Sequence, residues 1–325
     1  MTPNSPSADA GRPSPESSPP STVKARVRLA LGVVLLVGLA VAVEAWIGWA
    51  ALLASWGRMP LPELMVAVFL VLSSYALRAA RVFDYFRPAT AGGYLACLRL
   101  TLVHNMLNNL LPMRSGEVSF PLLMRRRFGV PLTTATAGLV WFRLLDLHSL
   151  AGVGLLMLGW HLIDPALALL AAALWMTLPW AFLRLQGHGA RLLAARLPAR
   201  WSARVERFSQ GLPSSLAAMV REWLWTLLNW AMKLGAYVWV LGVFVDAPAG
   251  ALWLGTISGE LTSVLPIHGV AGAGTYEAGV SAGMLAFGVD PLRVLQGAVN
   301  LHLFLLGLSI LAGGVAMSLP SGKRP

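Results

Sequence analysis

Long apolar segments dominate the hydrophobic pattern of this chain. Six of them can be outlined, at about residues 27–54, 62–83, 133–160, 165–185, 215–244 and 291–319. A helix needs about 20 mostly apolar residues to cross a hydrocarbon layer roughly 30 Å thick. The pattern therefore predicts an all-α, polytopic integral membrane protein with about six full spans.

A further apolar stretch, about residues 89–128, is interrupted by polar residues and helix breakers. The interruptions are Asn105, Asn108, Asn109, Pro112 and Gly116. Both ends of the stretch are basic, and a single crossing would leave one basic end outside the cell, against the positive-inside rule. We therefore predict a re-entrant helical hairpin that enters from the cytoplasm and returns there.

A second interrupted stretch covers about residues 248–288. Its breaks are Pro266, Gly269, Gly272 and Gly274. Its flanks are acidic, with Asp246 before it and Asp290 after it, so this hairpin is expected to open outward. The two hairpins are predicted to have opposite orientations.

The two interruptions carry the same residue types in the same order. Leu111, Pro112, Gly116 and Glu117 in the first correspond to Leu265, Pro266, Gly274 and Glu277 in the second. Each hairpin follows one long span and precedes another, which predicts an inverted repeat of about residues 62–160 and 214–319. Transporters use such repeats to alternate access around a site near the midplane. The alternative is chance recurrence of a common turn followed by an acidic helix start.

Basic clusters set the expected topology. Lys24 and Arg26 precede the first span and Lys323 follows the last, which places both termini in the cytoplasm and the chain in the inner membrane. Arg78 and Arg81 are interpreted as anchors that reach the cytoplasmic headgroup layer. The predicted organisation is a disordered cytoplasmic tail (1–23), a single transmembrane domain (24–319) with a basic cytoplasmic segment (about 184–210), and a cytoplasmic tail (320–325).

Composition narrows the classes of partner. The net charge is +11 with only 12% charged residues, and the basic residues lie between apolar runs without a nucleic-acid motif. We therefore expect contacts with anionic lipid headgroups and none with nucleic acid. No metal, cofactor or short catalytic motif is found, so the prediction is no enzyme and no cofactor. A membrane-embedded transferase stays open, because arginine and carboxylate sets can support one without a short motif.

Placing a charged side chain in an apolar span costs on the order of 3 kcal/mol of insertion free energy. Each such residue is therefore a candidate for a functional role. Arg143 and Asp146 are three residues apart on one helix face. They form either an ion pair that fixes helix packing or a substrate contact. Arg114 and Glu117 lie at the tip of the first hairpin, where a helix start could hold a lipid phosphate. Alternatively, Glu117 caps that helix and Arg114 faces the surface.

Two carboxylates bracket the second break. Glu277 and Glu260 are candidates for a cationic headgroup or a proton, and Glu277 is favoured because it follows directly on glycines that admit a substrate. They could instead satisfy helix ends or pair with Lys233. His268 lies at the tip of the break, and Asn109 is a further polar candidate more typical of interhelical hydrogen bonding.

Three motifs together resemble a known family. They are the stretch from Asn109 to Glu117 (NLLPMRSGE), the stretch from Trp141 to Asp146 (WFRLLD), and Leu265-Pro266 followed by GAGTYE, residues 272–277. Their order and spacing resemble the transmembrane domain of the lysylphosphatidylglycerol synthase/flippase family, over roughly residues 30–318.

This resemblance implies a function. In two-part members of the family the membrane domain is associated with flipping an aminoacylated phospholipid, which a separate cytoplasmic domain makes. The chain ends soon after its last span, so we expect a stand-alone translocase of an anionic or aminoacylated phospholipid or another lipid-linked substrate. The positions implied to be functional are Arg114, Gly116, Glu117, Arg143, Asp146 and Glu277. An accessory subunit for a lipid- or glycosyl-transferase, an enzyme acting on a lipid phosphate, and a homo-oligomer stay open.

Overall fold

The computed structural model describes most of the chain beyond the first span. It covers residues 41, 44–45, 48–57, 59–90, 93–179, 181, 184–185, 189, 195–196, 198–209, 211–213, 215–264 and 270–318. Within this part every regular element is a helix, which confirms the all-α prediction. The predictions for the two tails, 1–23 and 320–325, concern residues outside it.

Twelve α-helices are described. They are α1 (Trp49–Trp56), α2 (Leu61–Tyr85), α3 (Arg87–Thr90), α4 (Tyr94–Leu110), α5 (Ser119–Phe128), α6 (Leu132–Leu162), α7 (Pro165–Met176), α8 (Ala199–Ser209), α9 (Leu216–Phe244), α10 (Ala249–Val264), α11 (Thr275–Leu285) and α12 (Pro291–Ser318). Two 3₁₀ turns, Pro112–Val118 and Val270–Gly272, separate α4 from α5 and α10 from α11.

Four of the described helices, α2, α6, α9 and α12, are long and apolar enough to cross a membrane. The other two predicted spans are not established by the described residues. Most of the first predicted span lies outside them, and α1 covers only its end. Helix α7 has 12 residues, fewer than the roughly 20 that a crossing requires.

Local signals explain where several helices begin. Pro62 occupies the first turn of α2, where the missing N–H costs no hydrogen bond. The Asp164 side chain accepts from the backbone N–H groups of Ala166 and Leu167, each at 2.9 Å, and so caps α7. The side chain of Ser215 caps α9 in the same way. These features explain why α2, α7 and α9 begin where they do.

The first interrupted stretch folds back on itself; that it enters the membrane from the cytoplasm and returns there stays a prediction. His104 of α4 and Ser119 of α5 are hydrogen-bonded at 2.9 Å between Nδ1 and Oγ. Gly116 packs directly on the α4 backbone, where an added Cβ would overlap Leu107 and Asn108. Only glycine allows this approach, which brings the turn against the end of α4.

The second interrupted stretch forms a tighter antiparallel pair. Gly255 and Gly259 of α10 face Gly279 and Gly283 of α11, with the four-residue spacing that lets membrane helices touch through their backbones. A Cβ on Gly259 would lie 2.7 Å from Cγ2 of Val280. In the break, Gly272 and Gly274 adopt positive φ angles of 81° and 79°, which glycine tolerates. Pro266 and His268 lie outside the described residues.

The order of long helix, broken hairpin and long helix occurs twice, first from α2 to α6 and then from α9 to α12. The first long helices, α2 and α9, pack against each other. The last long helix of each half packs on the first hairpin helix of the other, α12 on α4 and α6 on α10, and the two 3₁₀ turns are in contact. This packing gathers helices from both halves around one centre.

The predicted basic segment contains α8, which packs on α6. After it, the hydroxyl of Tyr85 donates to the carbonyl of Gly211, which ties the segment to the end of α2. Its location on the cytoplasmic surface stays a prediction.

Candidate functional site

A polar cavity of about 70 Å³ lies where the two halves of the fold meet. Its charged lining comes from four helices, with Arg78 on α2, Arg143 on α6, Lys233 on α9 and Glu260 on α10. Three asparagines of α4, Asn105, Asn108 and Asn109, complete the polar wall. The cavity brings together residues more than two-thirds of the chain apart in sequence, from Ser74 to Leu306, because α2 packs on α9 and α4 packs on α12.

Arg143 links the first hairpin to α6. One terminal nitrogen, Nη2, lies 2.7 Å from Oε1 of Glu117, and the other, Nη1, lies 3.4 Å from Oδ2 of Asp146. The predicted pairing of Arg143 with Asp146 is therefore confirmed. The side chains of Arg143 and Glu117 are each about one-fifth exposed, so this end of the ion-pair chain is accessible.

Asp146 is fully buried and shared by three helices. Besides Arg143, its carboxylate accepts from Nη1 of Arg81 at 2.9 Å and from Nε1 of Trp230 at 3.1 Å. These donors come from α2, α6 and α9. A carboxylate with this many donors is positioned to hold helices together, and Arg143 is the member of the pair that faces the cavity.

The interpretation of Arg81 as a surface anchor is wrong. This side chain is 2% exposed, donates to Asp146 and to Oγ1 of Thr226 at 2.8 Å, and lies 4.5 Å from the ring centre of Phe142. The physical reason is that α2 continues to Tyr85, so Arg81 lies a full turn inside the helix on the face packed against α9.

Arg78 also faces inward and not toward a headgroup layer. It lines the cavity, and its Nη1 donates to Oδ1 of Asn105 at 3.0 Å. Among the described residues no carboxylate lies within ion-pair distance of Arg78, and its Nε is buried without a hydrogen-bond acceptor. Within the described part of the chain, this cavity guanidinium thus has no carboxylate partner.

The opposite wall carries a lysine in an aromatic setting. Nζ of Lys233 lies 2.6 Å from Oε2 of Glu260, which confirms the pairing that the sequence left open. The same ammonium lies 4.7 Å from the ring centre of Trp230 and 5.1 Å from that of Tyr237. A carboxylate and two aromatic rings are the groups that bind cations in proteins, and here Lys233 occupies them.

Glu277 lies behind this wall. It accepts from the backbone N–H of Gly274 at 2.8 Å, which caps α11, and its other oxygen is 2.7 Å from Nδ1 of His302. His302 and Tyr276 line the cavity, whereas Glu277 contacts it through His302. The geometry therefore matches the helix-end alternative for Glu277 and places Glu260 nearer the cavity.

Some of the remaining candidates lie within the described residues and others do not. Asn109 joins α4 to α12 through a 2.9 Å bond to Oγ of Ser309, which confirms its interhelical interpretation. Gly116, Gly272 and Gly274 lie in the two breaks, as predicted. The side chains of Pro112 and Arg114, together with Pro266 and His268, lie outside the described residues, and their predicted roles stay predictions.

Sequence reasoning missed Arg78, Arg81 and the aromatic residues of the cavity. One signal could have found the arginines: Arg78 and Arg81 precede the end of α2 by about two turns and one turn, so they lie within the helix. Trp230 has no such signal, because an interfacial tryptophan and one that donates to a buried carboxylate are alike in sequence. Within the described residues no cluster of histidine, cysteine or carboxylate side chains could hold a metal ion.

Comparison with known families decides the membership. The family described as the lysylphosphatidylglycerol synthase TM region matches residues 29–313. The chain belongs to this family. A search of curated proteins found no match to the chain. The resemblance noted in the sequence is thus confirmed over nearly the same range.

As a lysylphosphatidylglycerol synthase TM region, the chain is a multi-pass membrane protein of a lipid-handling family. In the fold, the charged motif residues that the structure describes lie in or beside the cavity. Glu117 from the first motif and Arg143 and Asp146 from the second form one continuous ion-pair chain beside the cavity. The third motif contributes Tyr276 to the cavity wall and Glu277 behind it.

Proposed function

We propose that this chain is a lipid translocase, which moves a phospholipid or another lipid-linked substrate across the inner membrane without changing it covalently. The observation that carries the proposal is the charged cavity at the meeting point of the two broken hairpins. A buried polar site between apolar helices is costly, and in membrane proteins such sites mark substrate paths.

The cavity presents groups for both ends of a charged headgroup. Arg78, which no described carboxylate neutralises, and Arg143 would bind a lipid phosphate. Glu260, with Trp230 and Tyr237, would bind an amine once Lys233 moves aside. A zwitterionic or aminoacylated phospholipid has this pattern of charges.

The size of the cavity implies that the protein must rearrange to transport. A volume of about 70 Å³ has room for only a few water molecules, less than a phospholipid headgroup needs. The translocase would therefore alternate between this narrow state and wider ones that open to each side. We assign the movement to the two hairpins, whose 3₁₀ turns contact each other at the centre.

An inverted repeat with re-entrant hairpins would provide this movement. Reciprocal packing supports it, because α12 lies on α4 and α6 lies on α10, as a twofold relation between halves requires. Opposite charges at the flanks of the hairpins support the opposite orientations. Rocking one repeat against the other would then expose the cavity to one membrane face at a time. In this arrangement both chain termini are cytoplasmic.

An apolar groove between α2 and α9 would accommodate acyl chains. Its volume is about 560 Å³, and Phe83, Leu224 and Leu228 line it. Its charged lining consists of Asp84, Arg87 and Arg221, and Arg221 pairs with Asp84. A lipid could keep its tails in this groove and the bilayer while its headgroup passes through the cavity.

Reconstitution in liposomes tests the proposal. Fluorescent phospholipids, with and without a lysyl headgroup, are incorporated, and their access to an impermeant reductant is followed with time. Protein-dependent exchange is expected, and Arg143→Ala should abolish it because the phosphate loses one of its two cations and the ion pair between Arg143 and Glu117 is lost. Arg293→Ala, which removes an arginine from the exposed start of α12, is the matched control and should leave exchange unchanged.

Other results would identify the alternative functions. A chemically altered lipid in the vesicles would indicate a membrane-embedded enzyme. Absence of exchange with every lipid, for protein shown to be folded by its cooperative thermal unfolding, would favour an accessory subunit. A lipid- or glycosyl-transferase should then copurify with the chain from its native membrane.

A further inference from the structure

A second, smaller cavity lies beside the candidate site. Its volume is about 20 Å³, which is room for one water-sized species. Its polar lining consists of Arg78 and Arg81 of α2, Thr101 and His104 of α4, and Arg143 of α6, and the rest is apolar. Among the described residues that line it there is no carboxylate. Three cations therefore surround a space without an acidic group in its wall.

Four hydrogen-bond donors of this lining have no acceptor. The Nε atoms of Arg78, Arg81 and Arg143 and the hydroxyl of Thr101 are buried and make no hydrogen bond. Thr101, like Arg81, is 2% exposed, so bulk water does not solvate these groups. Leaving a buried donor unsatisfied costs about 1–3 kcal/mol, and more when it is charged. Four such donors around one cavity indicate an acceptor bound between them.

The charges indicate that this acceptor is an anion. Two carboxylates contact two of the three guanidinium groups: Asp146 contacts Arg81 and Arg143, and Glu117 contacts Arg143. Among the described residues Arg78 has no carboxylate partner, so one positive charge is left over. Glu222 of α9 is also buried, but its oxygens accept no hydrogen bond and it does not line the cavity. Water could accept the hydrogen bonds, whereas a monovalent anion would also neutralise the charge.

We propose that this cavity binds a monovalent anion of halide size, such as chloride, through the three guanidinium groups and the hydroxyl of Thr101. This cavity is distinct from the 70 Å³ cavity of the candidate site, but Arg78 and Arg143 line both. Bound anion would hold both arginines in position and lower their attraction for a lipid phosphate. Halide concentration would then tune headgroup affinity, if the proposed transport function is correct.

The test measures binding without transport. The purified full chain in detergent is transferred to gluconate buffer, and chloride or bromide is added at constant ionic strength. We expect a saturable rise in the thermal unfolding midpoint, because a ligand that binds only the folded state stabilises it. We also expect broadening of the ³⁵Cl resonance that bromide reverses. Bromide should appear as an anomalous scatterer between Arg78 and Thr101 in crystals of the protein.

A pair of isosteric variants isolates the site. Thr101→Val removes one donor and should weaken halide binding about 5- to 10-fold, the equivalent of one lost hydrogen bond. Thr256→Val is the matched control, since Thr256 is also fully buried with an unpartnered hydroxyl but does not line the cavity. It should leave halide binding unchanged.

Three outcomes would overturn the inference. Halide-independent stability and linewidth in folded protein would assign the cavity to water. Saturable stabilisation by inorganic phosphate, or by phosphatidylglycerol in mixed micelles, without any halide effect would assign the donors to a phosphate oxygen. Equal weakening by Thr101→Val and Thr256→Val would remove the effect from this site. Lipid exchange in liposomes is measured separately, so failure of halide binding and failure of translocation are distinguishable.

Discussion

The two halves of the molecule share an order of elements but differ in their polar interactions. In the first half Asp146 is shared by Arg81 and Arg143, and the chain of contacts extends to Glu117; Asp146 also accepts from Trp230 of the second half. In the second half the interactions are separate pairs, Lys233 with Glu260 and Glu277 with His302. The first half retains an excess positive charge, whereas each pair of the second can part independently.

This difference indicates that the two halves have different roles, although they share the same order of helices. A carboxylate with donors from three helices is hard to disconnect, so the first half is suited to hold a fixed anion-binding surface. A lysine over two aromatic rings can move without leaving a charge unsolvated, because it faces the cavity. The second half is therefore the half in which we expect a substrate-linked change.

The largest expected effect is on stability. Asp146→Ala removes the shared carboxylate and leaves Arg81 as a buried cation, which should cost about 3–5 kcal/mol. Glu260→Ala should cost less, about 1.5–3 kcal/mol, because Lys233 keeps its aromatic contacts. Thermal unfolding of both variants measures the order. Adding Arg81→Gln to Asp146→Ala should recover part of the loss, and a larger cost for Glu260→Ala would contradict the comparison.

Each hairpin contains a glycine that lets two backbone segments pack closely, Gly116 in the first and Gly283 in the second. Gly283→Ala places a Cβ into the backbone of Leu254, and Gly116→Ala places one into the backbone of α4, so each should destabilise by about 1–3 kcal/mol. Gly314→Ala of α12 is the control, because no atom lies within 4 Å of its added Cβ. The measurement is the thermal unfolding midpoint in detergent. Unchanged midpoints for both hairpin variants would show that the close packing is not required.

Next in size is an effect on transport selectivity. Arg78→Met should raise the KM for phospholipid exchange about tenfold, the equivalent of about 1.4 kcal/mol of phosphate binding. Lys233→Met should instead leave the KM for an anionic phospholipid nearly unchanged and lower it for one with an amine headgroup, since Glu260 becomes free. Exchange rates in liposomes at several lipid concentrations give both values. The same KM change for both lipids in Lys233→Met would refute the assignment.

The smallest expected effect concerns the interhelical amides. Asn109→Ala removes the bond from α4 to Ser309 and should cost about 0.6 kcal/mol, the average for such bonds in a membrane protein. Asn300 bridges Oγ of Ser55 and Nε1 of Trp56, so Asn300→Ala should cost about twice as much. Chemical unfolding of the two variants compares them. A larger loss for Asn109→Ala would mean that Asn109 has a further partner.

Much of the fold could be predicted from the sequence because lipid leaves few choices. An apolar run of sufficient length must be a helix, and a run broken by Pro112 and Gly116 between basic flanks favours a turn back. The pairing of Arg143 with Asp146 followed from spacing alone, since residues three apart share a helix face. The family followed from three motifs in order, and the match to residues 29–313 confirms it.

Only the tertiary structure decided which charged groups meet. Arg81 pairs with Asp146 across 65 residues and with Thr226 across 145, and no local pattern contains such a separation. Charge counting read Arg78 and Arg81 as surface anchors because it reports which end of a helix is basic, but not which face turns inward. That face is set when α2 packs against α9, since rotation about a helix axis is fixed by the neighbouring helix and not by the helix's own sequence.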